Sequence, residues 1–436
     1  MNEEIRGNNN VFKNKNFTLV FLGALVSNVG ALFYSFAVSF YILKITDNNA
    51  LIQGLYLGVG GIVYCIVTLF GGVISDRFNK AKIMYICDYL KGITILAFTI
   101  MLIFLIKSVT GQVIALFIVA VIGNAISGIF SPASSALLPI IVEEEAYQQA
   151  QSYFSILNSL QSIVGVILAG ILYTLLPINL LFIIVGVCYI LSAISEMFIK
   201  YSTDYENSSE KLTLKIVFSD IKEGFNYLLS LKAILALMVC VLFINFFFSP
   251  IFDNFVPYFI ATDIRGSDYL FSDIFEPEMW SSFYSVAFGL GSLVMGIVLS
   301  SLAQVEKNHK RIRYSMVMIA LIMICLAVIY VLFKQGNFSI NTVLISSLII
   351  IFLVGILIVI INVSSTTSMM RLVDKDKFGK VSSVLSIGSQ GLIPISMLLG
   401  GIVITYIGSA GLLVVSSLGL LLISIVLFFN KRVKEL

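Results

Sequence analysis

Residues 52–105 read IQGLYLGVGGIVYCIVTLFGGVISDRFNKAKIMYICDYLKGITILAFTIMLIFL. Two apolar stretches, 52–73 and 83–105, flank a short loop that carries Asp76, Arg77, Lys80 and Lys82. A helix needs about 20 apolar residues to cross the ~30 Å hydrocarbon core of a bilayer, and each stretch is that long. Carried outward, the same ruler predicts spans at 17–43, 112–133, 152–176, 178–199, 233–260, 280–302, 314–334, 340–364, 381–407 and 409–430. The chain therefore reads as an all-α polytopic membrane protein of twelve transmembrane helices. Composition agrees: 59% of the 436 residues are hydrophobic and 12% charged, against about 25% charged in soluble domains. Too little polar surface exists to cover a particle in water, so apolar side chains must face lipid.

Orientation follows from the placement of Lys and Arg, which stay on the cytoplasmic side of short loops. With both termini inside, every basic residue falls on that side except Lys44, Lys91, Lys107, Arg265 and Lys334. Lys91 lies within the third span, and the alternation of basic and non-basic loops supports the count of spans. The expected location is the cell membrane, multi-pass, with both termini cytoplasmic. No cleavable leader is expected, because the polar N-terminus runs into a stretch long enough to span. The five cysteines sit in apolar runs without a CxxC pair, and neither a disulfide framework nor a metal site is expected. No phosphate loop, HExxH helix or nucleophile constellation appears, so neither enzyme activity nor a cofactor is expected. A net charge of +3 gives no reason to invoke nucleic acid.

The longest polar stretch divides the chain into a six-helix half over 1–200, a cytoplasmic linker over 201–232 and a second six-helix half over 233–436. Within the linker, Leu212, Ile216, Phe225, Leu228 and Leu229 among charged residues suit an amphipathic helix on the membrane surface; a solvated linker is the alternative. The halves resemble each other. Val142-Glu143-Glu144-Glu145 aligns with Val373-Asp374-Lys375-Asp376, and at the same offset Ala169-Gly170 falls on Gly400-Gly401. Such matches are expected of two parallel pseudo-repeats, or of chance likeness between apolar helices.

The loop Gly71-Gly72-Val73-Ile74-Ser75-Asp76-Arg77-Phe78-Asn79-Lys80-Ala81-Lys82 resembles the signature loop of the major facilitator superfamily, G-x-x-x-D-R-x-x-[RK]-x-[RK]. Gly72, Asp76, Arg77, Lys80 and Lys82 fit it. A glycine lets two helices approach closely, and Asp76 can cap or pair across a junction that breaks when the halves rock. That resemblance implies the major facilitator fold, a conformational latch in this loop, and solute transport, commonly by a monomer. In the second half, Ser300 stands where the Asp of the loop would be. Ser131-Pro132-Ala133, Leu137-Leu138-Pro139, Glu223-Gly224-Phe225 and Asp88-x-x-Lys91 look like the drug-exporting branch that includes macrolide-efflux-type proteins. The fifth span departs from that branch: Gly165-Val166 stands where many exporters carry Gly-Pro, so the proline bend is missing.

Charges inside a span cost at least ~2.5–3.5 kcal/mol on insertion scales, and each asks for a reason. Asp88 and Lys91 are three apart and share a helix face, where pairing neutralises them. Glu196 lies about one turn from the inner end of its span, within reach of Lys200 at i+4 or of the interface. Asp253 sits between Pro250 and Pro257, which free backbone carbonyls. It is the leading candidate for proton exchange or for pairing with a cationic substrate; a bond to Asn254 or backbone is the structural alternative. Asn28, Tyr34, Asn124, Asn158, Gln161, Asn245, Asn362 and Gln390 are cavity candidates, and interhelical hydrogen bonds explain them equally well. Phe33, Phe36, Phe246, Phe247 and Phe248 suit an apolar pocket for a large amphipathic molecule, or simply face lipid. Five acids against Arg265 over 263–278 either draw cations to the mouth or are solvated. The reading is proton-coupled export of an amphipathic drug or antibiotic by alternating access. Export of an endogenous siderophore, peptide or lysolipid is the transporter alternative, and a non-transporting membrane receptor or scaffold is the alternative of another class.

Overall fold

A computed structural model describes residues 11–201, 228–301, 308–373 and 388–430. The amphipathic linker segment, the fragment at Glu223 and the matched run at 374–376 lie outside those residues. In the first half the helices are α1 (Lys15–Ile45), α2 (Ala50–Arg77), α3 (Lys80–Phe104), α4 (Val109–Ile141), α5 (Glu144–Leu160), α6 (Val166–Leu175) and α7 (Ile178–Met197). A π-helical turn, Gln161–Gly165, joins α5 to α6. The fifth span thus widens its helix without the proline that many exporters carry there. In the second half come α8 (Lys232–Pro250), α9 (Val256–Phe259), α10 (Met279–Ser301), α11 (Asn308–Lys334), α12 (Ile340–Leu372) and α13 (Ile393–Phe429). Pro250 and Pro257 lie in one span with two π-helical turns, Ile251–Phe255 and Ile260–Ile264.

Among the described residues eleven helical stretches are long and apolar enough to cross a membrane, and the last, Gly388–Phe429, holds 42 residues. At 1.5 Å per residue it would run about 63 Å, twice the hydrocarbon thickness. It breaks at Gly408, where φ is 85°. Its neighbours show that the chain reverses there. Gly388, Ser389 and Gly400 face Met238, Asn245 and Pro250 in ascending order. Beyond the break, Ser409, Ser417 and Ser424 bond Tyr330, Met323 and Met316 in descending order. The α13 stretch is therefore two spans, and the fold has the twelve that the apolar ruler counts. Large apolar side chains are exposed along them, among them Ile118, Leu191, Ile297 and Leu422, as lipid contact requires.

Residues group into two compact units: 1–38 with 62–211, and 39–61 with 212–436. The boundary runs through α1 and α2, so the tip of their hairpin packs with the second unit. Gly54, Gly58 and Gly61 of α2 lie against Gly401, Leu398 and Pro394 of α13, a small-residue stripe of the kind that lets membrane helices touch backbone to backbone. In the first unit the second and fourth spans meet the same way: a Cβ on Gly71 would stand 2.2 Å from Gly128 O. The second unit repeats this between its own second and fourth spans, where a Cβ on Gly291 would stand 2.1 Å from Phe352 O and one on Gly355 2.3 Å from Phe288 O. Close packing at corresponding positions is what two six-span repeats require.

Gly72 does not make the close approach expected of it: nothing lies within 4 Å of its would-be Cβ. Adjacent helical residues point about 100° apart, and the neighbour on Gly71's side is α4. The N-cap of α3 is Asn79, whose Oδ1 accepts from Lys82 N at 2.9 Å. Lys80 N donates to Tyr201 Oη at 2.7 Å. Asp76 and Arg77 close α2, and their side chains lie outside the described part.

Candidate functional site

Helices α3 and α7 approach through Gly92 and Gly186, whose would-be Cβ atoms lie 2.9 and 3.3 Å from each other's carbonyl oxygens. Residues 88 and 91 of α3, and 189, 192 and 196 of α7, follow from there at helical spacing along the facing surfaces. Helix α1 completes the wall. Ser192 Oγ donates to Gly23 O at 3.0 Å, and Ser195 Oγ to Leu19 O at 2.9 Å. The absent side chain of Gly23 makes room for Glu196, whose Cγ would sit 3.2 Å from a Cβ there.

Asp88, Lys91 and Glu196 meet in this space, near enough to act on one another electrostatically. Glu196 is 0% exposed and Asp88 1%, so Glu196 reaches neither the interface nor Lys200. The Lys200 backbone is held elsewhere: its N donates to Asn16 Oδ1 at 3.0 Å and its O accepts from Asn16 Nδ2 at 2.6 Å. Among the described residues no hydrogen-bond donor reaches either oxygen of Asp88 or of Glu196. Ser192 stands beside Asp88, but its one hydrogen goes to Gly23 O. Nor do Asp88 and Lys91 form the ion pair that their spacing suggests. Lys91 Nζ instead lies over two aromatic faces, 5.3 Å from the centroid of Phe130 and 5.2 Å from that of Tyr189. Phe130 comes from α4 and Tyr189 from α7, and spacing along α3 carries no sign of either.

Next to the cluster opens a cavity of about 150 Å³, lined by Tyr34, Lys91, Thr94, Asn124, Ser127 and Tyr189 among others. Of the expected cavity residues, Tyr34 and Asn124 are here. Asn28 and Asn158 are exposed on α1 and α5, and Asn362 and Gln390 are exposed in the second unit. Gln161 opens the π-helical turn, with its Nε2 buried and unbonded. Asn245 Nδ2 donates to Ser389 O at 2.9 Å, which makes it a stitch between spans.

In the second unit Asp253 occupies the π-helical turn after Pro250, as the prolines suggest, and is half-buried. Its backbone O accepts from Gln53 Nε2 at 3.2 Å. Asn254 is no partner for its carboxylate, since Asn254 Nδ2 donates to Met397 O at 3.1 Å. Of the phenylalanines expected to line an apolar pocket, Phe248 borders, with Phe252, Phe255, Phe259, Tyr284 and Tyr330, a tight space of about 20 Å³ that Phe33, Phe36, Phe246 and Phe247 do not line, little more than one water needs. Of the five acids in the loop after this span, two are spent. Asp263 pairs with Lys334 and accepts from Tyr330 Oη at 2.6 Å, and Glu278 pairs with Arg265. The loop is folded rather than a solvated funnel: Tyr269 Oη donates to Phe275 O at 2.5 Å, and Asn341 Oδ1 accepts from Leu270 N at 2.7 Å. Burial, with Glu276 and Glu278 nearby, pushes the Tyr269 phenol above its ordinary range.

A family model described as Major Facilitator Superfamily matches residues 19–395. An uncharacterized MFS-type transporter of Bacillus subtilis (strain 168), YkuC, is 26% identical over 310 residues, 69% of this chain and 67% of its own. Macrolide efflux protein A of Streptococcus pyogenes is 23% identical over 311 residues, 70% of this chain and 71% of its own. Among solved structures, a D-xylose-proton symporter superposes with a TM-score of 0.68 at 12% identity, covering 98% of each chain. A bacterial homologue of the iron transporter ferroportin, in an inward-facing state, does so with a TM-score of 0.68 at 16% identity, covering 95% of this chain and 99% of that one. At such identities the structural likeness speaks for the fold alone.

Proposed function

This multi-pass membrane protein belongs to the Major Facilitator Superfamily, a family of transporters rather than enzymes, and from that premise we propose that it exports amphipathic drugs or antibiotics, macrolide-like in kind, in exchange for protons. The observation that carries the proposal is the cluster Asp88, Lys91 and Glu196. Two carboxyl groups stand near one ammonium that lies over rings rather than on either acid, and neither acid accepts a hydrogen bond. Uncompensated charge in such a place is costly, and the cluster is electroneutral when it holds one proton. A proton held there, and given up when the surroundings change, is what coupling needs.

The likeness to macrolide efflux protein A supports the substrate class and the outward direction. The placement of Lys and Arg supports a cell-membrane orientation with both termini in the cytoplasm. Asp253 remains in the mechanism as a third carboxylate, in the other unit and without a bond to its side chain. No cofactor enters; the partners are the substrate, the proton and the surrounding lipid, with a monomer as the working form.

The test is uptake of a labelled macrolide, and of a fluorescent amphipathic cation, into everted vesicles under an imposed pH gradient. Wild type accumulates both and loses them when the gradient collapses. Asp88→Asn and Glu196→Gln each remove the gradient-driven part while the protein still inserts, and Asp253→Asn shows whether that site contributes. Gradient-driven uptake that survives both Asp88→Asn and Glu196→Gln would take the cluster out of the mechanism. Uptake of neither probe by wild type would remove drug export.

A further inference from the structure

Apart from Lys91 and the hydroxyls of Tyr34 and Tyr189, the polar side chains that line the first-unit cavity have turned donors to backbone. Thr94 Oγ1 gives its hydrogen to Leu90 O at 2.7 Å, and Ser127 Oγ gives its own to Gly123 O at 2.9 Å. Asn124 Nδ2 is turned back to Ala120 O at 2.8 Å. What these three side chains have left to offer is the lone pairs of two hydroxyl oxygens and of the Asn124 Oδ1, beside one remaining hydrogen on Asn124 Nδ2. Tyr189 adds an aromatic face, and its other occupant is already a cation, the ammonium of Lys91. Around the Lys91 ammonium the wall offers acceptors and ring faces, with Asp88 and Glu196 behind it, groups that suit positive charge.

Resting on the export reading above, the geometry points to this cavity as the subsite for a protonated or quaternary amine of the substrate, with Lys91 as a tethered cation that the amine displaces. The volume fits that use. About 150 Å³ has room for an amine and its substituents but lies below the ~300 Å³ at which sites enclose a drug-sized ligand. The rest of an amphipathic molecule stays outside the cavity. Lys91 has somewhere to go, because Asp88 lies three residues back on the same helix face and accepts no hydrogen bond where it stands. The ionisable groups facing Lys91 are Asp88 and Cys87 from α3 and Tyr189 and Glu196 from α7. With Lys91 on the carboxylates and the amine in its place, the two positive charges balance Asp88 and Glu196 both ionised. The proton that balanced the empty cluster then leaves, and one substrate cation has replaced one proton.

The experiment uses the whole protein in lipid nanodiscs and three dansylated decyl probes, ending in trimethylammonium, hydroxyl or carboxylate, with binding read as fluorescence enhancement. Wild type binds the ammonium probe more tightly than the alcohol. Lys91→Met removes the competitor and tightens the ammonium probe by about tenfold, the order of a desolvated cation–π contact, while the alcohol probe is unmoved. Lys91→Arg keeps a cation on the rings and weakens the ammonium probe, so the test does not hang on one variant folding. Preference for the carboxylate probe, lost in Lys91→Met, would make Lys91 an anion anchor and overturn the inference. Equal affinity for the ammonium and alcohol probes in every variant would overturn it too. Movement of the ammonium probe in proteoliposomes separates the two ideas. A preference in binding without transport leaves the subsite and removes export; transport without a preference leaves export and removes the subsite.

Discussion

Gly71 and Gly72 are neighbours in the loop-bearing helix, and the structure gives them opposite fates on substitution by alanine. At Gly71 the new methyl would stand 2.2 Å from Gly128 O and 3.0 Å from the Ile129 Cα. Both are backbone atoms of α4, so no side chain can swing away. Restoring a contact of roughly 3.5 Å moves α2 and α4 apart by about 1 Å. Overpacking of this sort costs typically 1–3 kcal/mol, a fall in melting temperature of about 2–10 °C at the size scaling of domains. At Gly72 the methyl meets open space, and replacing a helical glycine by alanine gains up to about 1 kcal/mol. The assay is thermal unfolding of the purified protein in detergent, followed by a thiol-reactive dye that gains access to buried Cys87. Gly71→Ala should melt lower than wild type, and Gly72→Ala at or slightly above it. If Gly71→Ala melts with wild type, or Gly72→Ala is the weaker of the two, the argument from helix approach is wrong.

Three other outcomes follow from the second unit and from the orientation. Tyr330→Phe removes the hydroxyl that bonds Asp263 at 2.6 Å and Ser409 at 2.7 Å; a loss of about 1.5–3 kcal/mol, as for bonds to charged groups, should appear as a lower melting temperature, and an unchanged one would show that the network is dispensable. Gly408→Ala puts a side chain at φ 85° and ψ 170°, a region essentially confined to glycine, which costs roughly 1–3 kcal/mol; the yield of folded protein should fall, and no fall would mean the turn relaxes. Cysteines placed at Gly266 and Asn337 should react with an impermeant maleimide on intact cells, and one at Phe78 only after permeabilisation. The reverse pattern would invert the topology.

Much of the fold was legible because membrane spans are set by length and apolarity alone. Even the division between the last two spans, at residues 407 and 409, follows from the ruler, since an uncharged stretch of 42 residues is too long for one crossing. The π-helical turns around Pro250 and Pro257 have a cause visible in the chain, whereas the one at Gln161–Gly165 has no proline to announce it. The site was harder to read, because its geometry is set by which helix stands opposite. Spacing put Asp88 and Lys91 on one face but was silent about Phe130 and Tyr189, whose rings hold the ammonium. Spacing also offered Glu196 a partner at Lys200, while the deciding contact is with Gly23, far away in sequence. Asp253 stood out because prolines flank it, yet it lies in a different unit from the other intramembrane charges. The signals that would have helped were small: Gly23, Gly92 and Gly186 mark where helices close in, and Ser192 and Ser195 mark the face of α7 turned to α1.

The single-residue reversal at Gly408 bears on how the protein enters its membrane. A segment of 42 residues without a charged side chain presents the insertion machinery with no charged connection at which to pause between two crossings. The first of these spans cannot be fixed in place before the second emerges, because nothing soluble separates them. The two must go in together as a helical hairpin, with the exposed Tyr406 and Ile407 leading at its tip.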